Sequence, residues 1–139
     1  MRHRIAGKKL NRAVKPRRAL FRSLVASLVN HGSIQTSLAK AKAVRPLVDK
    51  LVTKAQKNSL TAHRQVQAFI QNQELTQKLI RDLAPNFKRN SGFVKITRLP
   101  VKRSDAAPMV RIEWSEKIEI KKKVEKKPVK KAEPKATKT

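Results

Sequence analysis

Residues 90–114 read Asn90-Ser91-Gly92-Phe93-Val94-Lys95-Ile96-Thr97-Arg98-Leu99-Pro100-Val101-Lys102-Arg103-Ser104-Asp105-Ala106-Ala107-Pro108-Met109-Val110-Arg111-Ile112-Glu113-Trp114, and they decide the fold class. After the turn residues Asn90-Ser91-Gly92, apolar side chains recur at every second position. Val94 and Ile96 fall on one side, Lys95 and Thr97 on the other. A second run repeats the pattern, with Val110, Ile112 and Trp114 against Arg111 and Glu113. Successive side chains of a strand point to opposite faces, so both runs read as half-buried strands and predict an antiparallel pair. The connection from Leu99 to Pro108 is long for a hairpin and carries Lys102 and Arg103.

Upstream of residue 90 the period is helical. Pro16 suits the first turn of a helix, where its missing N–H is not required. Leu20, Phe21, Leu24, Val25, Leu28 and Val29 then form one apolar stripe, with Arg18, Arg22, Ser23 and Ser27 opposite. Gly32 stands where a left-handed cap belongs. Ser33-Ile34-Gln35-Thr36-Ser37 alternates like a short strand, and Ser37 is placed to cap a second helix bearing Val44, Leu47, Val48, Leu51, Val52 and Ala55. Pro46 lies inside that stripe and predicts a kink or a restart. Asn58-Ser59 marks a break, and Thr61 is the expected cap of a third helix with Val66, Phe69 and Ile70. Asn72 interrupts before a fourth helix with Leu75, Leu79, Ile80 and Leu83, which Pro85 ends. Helices followed by paired strands give an α+β class, with helices packed on a small antiparallel sheet.

The chain has 139 residues, with 35 Lys+Arg against 9 Asp+Glu and a formal charge of +26. Mean hydropathy is −0.59. A core is feasible in a chain of this length if part of the sequence stays outside it. A charge this far from zero opposes compaction and calls for a polyanion. The charge is also uneven. Twelve cations precede the first acid, Asp49. At the other end, residues 117–139 hold ten lysines against Glu119, Glu125 and Glu133, with almost nothing to bury. We expect a basic arm over residues 1–15, a compact domain over 16–116 and a disordered Lys/Glu/Pro/Ala-rich tail over 117–139.

Several function classes fall away. Without cysteine there are no disulfides, zinc ribbons or thiol nucleophiles. Gly7, Gly32 and Gly92 are too far apart for a phosphate-binding glycine loop. No apolar run approaches a membrane span, and the start lacks the apolar stretch of a secretory signal, so no membrane partner and a cytoplasmic location are expected. His3, His31 and His63 show no metal-site spacing, and His31 is expected to meet the last carbonyls of its helix. Glu113, Glu116 and Glu119 form the closest acidic group, with Glu113 facing outward from a strand. Ser23, Ser27 and Ser37 have helical or capping roles. No catalysis, cofactor, metal or small-molecule substrate is expected.

What remains is phosphate recognition. Arg presents a planar fork that matches phosphate oxygens, and Lys a point charge. Arg2, Arg4, Arg12, Arg17, Arg18 and Arg22, with Lys8 and Lys9, crowd the first 22 residues. Lys102 and Arg103 add a basic connection. Lys40 and Lys42 lie on different helical faces, so at most one of them is expected to touch RNA in a given way. Phe21, Phe69 and Trp114 fall on apolar stripes, and Phe87 and Phe93 are the free stacking candidates, although core placement suits them better. Backbone and shape recognition of structured RNA is therefore expected over base stacking. For the tail, a loose solubilising end is favoured over insertion into RNA grooves.

Particular residues also carry a family resemblance. Met1-Arg2-His3-Arg4 and Leu10-Asn11-Arg12 resemble the start of the L-seventeen family of bacterial large-subunit ribosomal proteins. The similarity continues through Ala19-Leu20-Phe21-Arg22-Ser23-Leu24, Leu28-Val29-Asn30-His31-Gly32, Ile34-Gln35-Thr36 and Leu38-Ala39-Lys40-Ala41-Lys42. It closes with Asp105-Ala106-Ala107-Pro108-Met109 and Ile112-Glu113, covering about residues 1–116. Ser91-Gly92 stands where many members have paired glycines, and the chain after about Glu119 exceeds the usual ending. The resemblance implies a compact α+β ribosomal protein on large-subunit ribosomal RNA, near the nascent-chain exit region. Neighbouring large-subunit ribosomal proteins would be further partners. It assigns RNA contacts to Arg2, His3, Arg4, Asn11 and Arg12. The rival function is a general nucleic-acid-compacting or chaperone protein, which shares the charge. A nuclease would need a metal or acid–base cluster that the sequence does not supply.

Overall fold

The computed structural model describes residues 7–102 and 106–116, with residues 101 and 102 as backbone. The expectations placed on residues 1–6, on Arg103 and on residues 117–139 lie outside the described residues.

The first helix, α1, spans Val14–His31 and holds Pro16 in its first turn. It begins two residues inside the stretch assigned above to the arm. Val25, Leu28 and Val29 are buried, with Phe21 and Leu24 packed against them. Gly32 adopts a left-handed φ of 77°, and its N–H closes the helix on the Leu28 carbonyl. That reversal delivers the chain into strand β1, Ser33–Ser37. Helix α2, Leu38–Gln56, starts directly from it.

Pro46 neither stops nor restarts α2, which is continuous through it. Proline denies the Lys42 carbonyl its helical N–H, and here Lys42, Arg45 and Pro46 are all exposed, so water can meet that carbonyl. The opposite face buries Ala41, Val44, Val48, Leu51, Val52 and Ala55. Helix α2 is the central rod, packing on all three strands, on α1 and on α3.

Helix α3 spans Leu60–Ile70, and its cap is Ser59, not Thr61: Ser59 Oγ accepts from the Ala62 N–H. Thr61 lies inside the helix instead. Leu60 at its start is 67% exposed. Gln71 takes a left-handed φ of 57°, and Asn72 then caps the next helix by accepting from Leu75 N–H. The expected fourth helix is split. A short α4, Gln73–Gln77, passes into a π-helical turn, Lys78–Leu83, and a 3-10 turn, Ala84–Asn86, that contains Pro85.

The sheet has the order β1-β3-β2, with β2 at Val94–Lys102 and β3 at Pro108–Trp114, both pairings antiparallel. The expected pair is present, and β1 adds a third strand on the far side of β3. The connection is shorter than expected, because Lys102 still pairs with Pro108, across an irregularity between Arg98 and Lys102. Ile34, Ile112 and Ile96 form one row across the sheet, facing the helices. On the open face, Glu113 turns outward as expected and lies 3.9 Å from Lys95.

Three side chains pin the layers. Asp49 Oδ1, on α2, accepts the Phe93 N–H at 3.1 Å and fixes the entry to β2. Arg22 Nε donates to the Phe69 carbonyl at 2.8 Å, joining α1 to α3. Lys78 Nζ donates to the Asn30 carbonyl at 2.8 Å. Phe87, Phe93 and Trp114 close one end of the core, with Phe87 centred 5.1 Å from Phe93 and 5.5 Å from Trp114.

Candidate nucleic-acid interface

Helix α2 begins without a side-chain cap. Ser37 has the extended backbone of a capping residue, yet its hydroxyl accepts no bond from the helix. No acid occupies the first turn either. The leading N–H groups of a helix have no partner within it and carry a partial positive charge, which suits an anion. A cleft of about 480 Å³ lies at this end, lined by Ser37, Leu38, Ala39, Lys40 and Lys42 together with Lys8, Ala107 and Pro108. Three ammonium groups and a helix amino terminus thus share one concavity.

Lys40 and Lys42 both line this cleft although they lie on different helical faces. Helical faces separate side chains along the middle of a helix. This cleft surrounds an end, where residues from several faces converge. Lys8 arrives from another segment altogether. Between Lys8 and α1 the chain reverses in a turn, with Arg12 N–H bonded to the Lys9 carbonyl at 3.2 Å. Both central residues are left-handed, Leu10 at φ 53° and Asn11 at φ 49°. Asn tolerates that conformation, whereas Leu gives up about 1–2 kcal/mol to adopt it.

The other expected contact residues disperse. Lys9, Asn11, Arg12 and Arg18 are exposed, and Arg17 is half-buried. Arg22 is also half-buried, with its Nε committed to the Phe69 carbonyl. Lys102 is described as backbone, paired with Pro108 at the cleft's edge. Arg2, His3, Arg4 and Arg103 lie outside the described residues.

The histidines are engaged locally. His31 meets the Asn30 side chain at 3.5 Å rather than the helix carbonyls. Two of those carbonyls have other partners, because Gly32 N–H takes Leu28 and Lys78 takes Asn30. His63 Nε2 lies 3.1 Å from Asn58 Oδ1. Among the described residues no group of three or more His, Cys, Asp or Glu is placed to hold a metal. No described helix is long and apolar enough to cross a membrane. Phe87 and Phe93 are buried, so neither offers a stacking platform.

Sequence reasoning missed Lys88 and Arg89, which line a second cleft with Gln56 and Asn58 at the end of α2. No sequence pattern marks them, because they stand in a loop far along the chain from the α2 residues they join.

Comparison with known proteins gives a consistent result. The profile described as "Ribosomal protein L17" matches residues 20–115. The large ribosomal subunit protein bL17 of Campylobacter jejuni subsp. doylei is 44% identical over 115 residues, covering 82% of this chain and 98% of its own. The protein of the same name from Desulforapulum autotrophicum is 45% identical over 114 residues, covering 81% and 95%. That from Helicobacter pylori is 39% identical over 115 residues, covering 82% and 99%.

Proposed function

This chain belongs to the ribosomal protein L17 family, and from that premise we propose that it grips the ribosomal RNA of the large subunit by neutralising its phosphates. A member of this family is a structural constituent of the large ribosomal subunit and not an enzyme. Its place of work is the ribosome, in the cytoplasm. The observation that carries the RNA reading is the amino end of α2, where Lys8, Lys40 and Lys42 surround uncapped N–H groups. Helix α2 fixes the spacing of Lys40 and Lys42, so binding does not have to order these two, and Lys8 joins them from the segment before α1. The arm cations Arg2, Arg4 and Arg12, with His3 and Asn11, extend the grip. The resemblance of the arm and closing strand to the family supports a site near the nascent-chain exit region, beside other large-subunit proteins.

The test is competition at fixed salt between fragments of large-subunit ribosomal RNA and generic duplex DNA, together with co-sedimentation with large subunits through a high-salt wash. Preferential RNA binding and retention are expected. Equal binding to both polymers would favour a general compacting protein instead. Replacing Arg2, Arg4 and Arg12 by Ala should weaken RNA association while leaving thermal unfolding nearly unchanged. A large loss of melting temperature would assign the arm to the fold.

A further inference from the structure

We propose that the cleft at the carboxyl end of α2 receives one unstacked nucleotide of RNA. The inference rests on the RNA-binding reading above and adds a separate site with different chemistry. The cleft has a volume of about 430 Å³, within the range of roughly 300–1,000 Å³ typical of small-molecule sites. Gln56, Asn58 and Asn90 supply carboxamides above the buried Ile80 and Phe87, so the cleft presents a mainly polar wall. Lys88 and Arg89 stand among the same lining residues.

The amides are set for recognition by their other bonds. Gln56 Nε2 donates to the Phe87 and Arg89 carbonyls, each at 3.3 Å, which ties the loop to the helix end and leaves Gln56 Oε1 to accept. Asn58 is held in a left-handed conformation at φ 46°. Its Oδ1 receives His63 Nε2, so its amide protons remain as donors. The Asn90 side chain is exposed and has no partner among the described residues. Gln56 and Asn58 hold an acceptor and donors in place and Asn90 adds a free carboxamide, a set that matches the edge of a base, and unpaired bases are what sequence-selective RNA binding reads. Lys88 Nζ has no partner among the described residues and is available to the nucleotide's phosphate. One carboxylate is close. Glu116 lies 3.8 Å from Arg89 and accepts the Lys88 backbone N–H at 3.4 Å, so Arg89 is partly compensated. Exposed Lys54 and Lys57 keep this end of the helix positive.

The experiment uses the full chain and two RNA hairpins, identical except for a single bulged nucleotide, made with each of the four bases in turn. The wild type is expected to bind the best bulged hairpin about tenfold tighter than the perfect one, the value of one to two well-placed hydrogen bonds. Asn90→Ala removes no charge and should erase that preference, while affinity for the perfect hairpin stays within about twofold. Lys88→Ala should weaken the bulged hairpin more than the perfect one. Melting followed through Trp114 verifies the fold of each variant, and Asn90→Ser replaces Asn90→Ala should the latter unfold. Equal binding of bulged and perfect hairpins, or a preference that survives Asn90→Ala, overturns the nucleotide site while leaving the RNA reading intact. Failure to bind either hairpin overturns the RNA reading, and this inference with it.

Discussion

At its amino end α2 carries lysines and no side-chain cap, and at its carboxyl end the same helix faces a cleft lined by carboxamides. The ends are about 27 Å apart along a helix of 19 residues. The amino end has strength without choice, because any phosphate satisfies a point charge or a helix dipole. The carboxyl end has choice at the cost of strength, because amides discriminate among bases but contribute little to long-range attraction. One buried stripe holds both in register. On the proposed reading, the two ends of one rod divide holding RNA from selecting it.

The bluntest way to break this contrast is to damage the rod. Leu51 is buried on α2, and Leu51→Ala should lower stability by about 2–5 kcal/mol, read by denaturant or thermal unfolding. Both ends should lose RNA affinity together near the melting transition. Loss at one end alone would mean that α2 is not their shared frame. The amino end can be removed next. Changing Lys8, Lys40 and Lys42 together to Ala should lower the salt dependence of RNA binding by roughly 2–3 in the log–log slope. The melting temperature should hardly move, and an unchanged slope would exclude the cleft from phosphate contact.

Smaller changes separate fold from function. Asp49→Ala leaves the Phe93 N–H without its acceptor and should cost about 1–3 kcal/mol, whereas Asp49→Asn retains an oxygen and should cost much less. Equal losses for the two variants would show that the carboxylate charge matters, not the bond. Gln56→Ala should cost about 1 kcal/mol and raise amide exchange in the loop over residues 87–90, sparing the amino-end cleft.

Much of the fold was legible because it is written in short-range periodicity. The α1 stripe ending at Gly32, the α2 stripe and the alternation at Val94–Thr97 and Val110–Trp114 each need only local inspection. The third strand's place was not legible. Ser33–Ser37 announces an extended segment, but its pairing with Pro108–Trp114 depends on contacts about 75 residues away in sequence. Ser59 and Thr61 are both competent caps, and backbone geometry rather than residue type chose between them. The π-helical turn over Lys78–Leu83 left no mark in a stripe that Leu75, Leu79 and Ile80 continue unbroken. The basic site was half legible. Charge density pointed to the first 48 residues, but convergence of Lys8 with Lys40 and Lys42 is a tertiary fact. At the other end, Asn58, Lys88 and Asn90 look like ordinary loop residues until the fold gathers them.

The sheet order also has a consequence for biosynthesis. Strand β3 is the last of the described strands to be made, yet it sits between the other two. Until residues 108–114 emerge, β1 and β2 have no native neighbour to bond with. A growing chain can coil its helices early, but it carries β1 unpaired from residue 37 to residue 108, and β2 joins that wait only near its end. The polar outer positions Ser33, Gln35 and Ser37 make β1 a poor template for unwanted association during that wait. Assembly therefore commits late, when one central strand zips both edges at once.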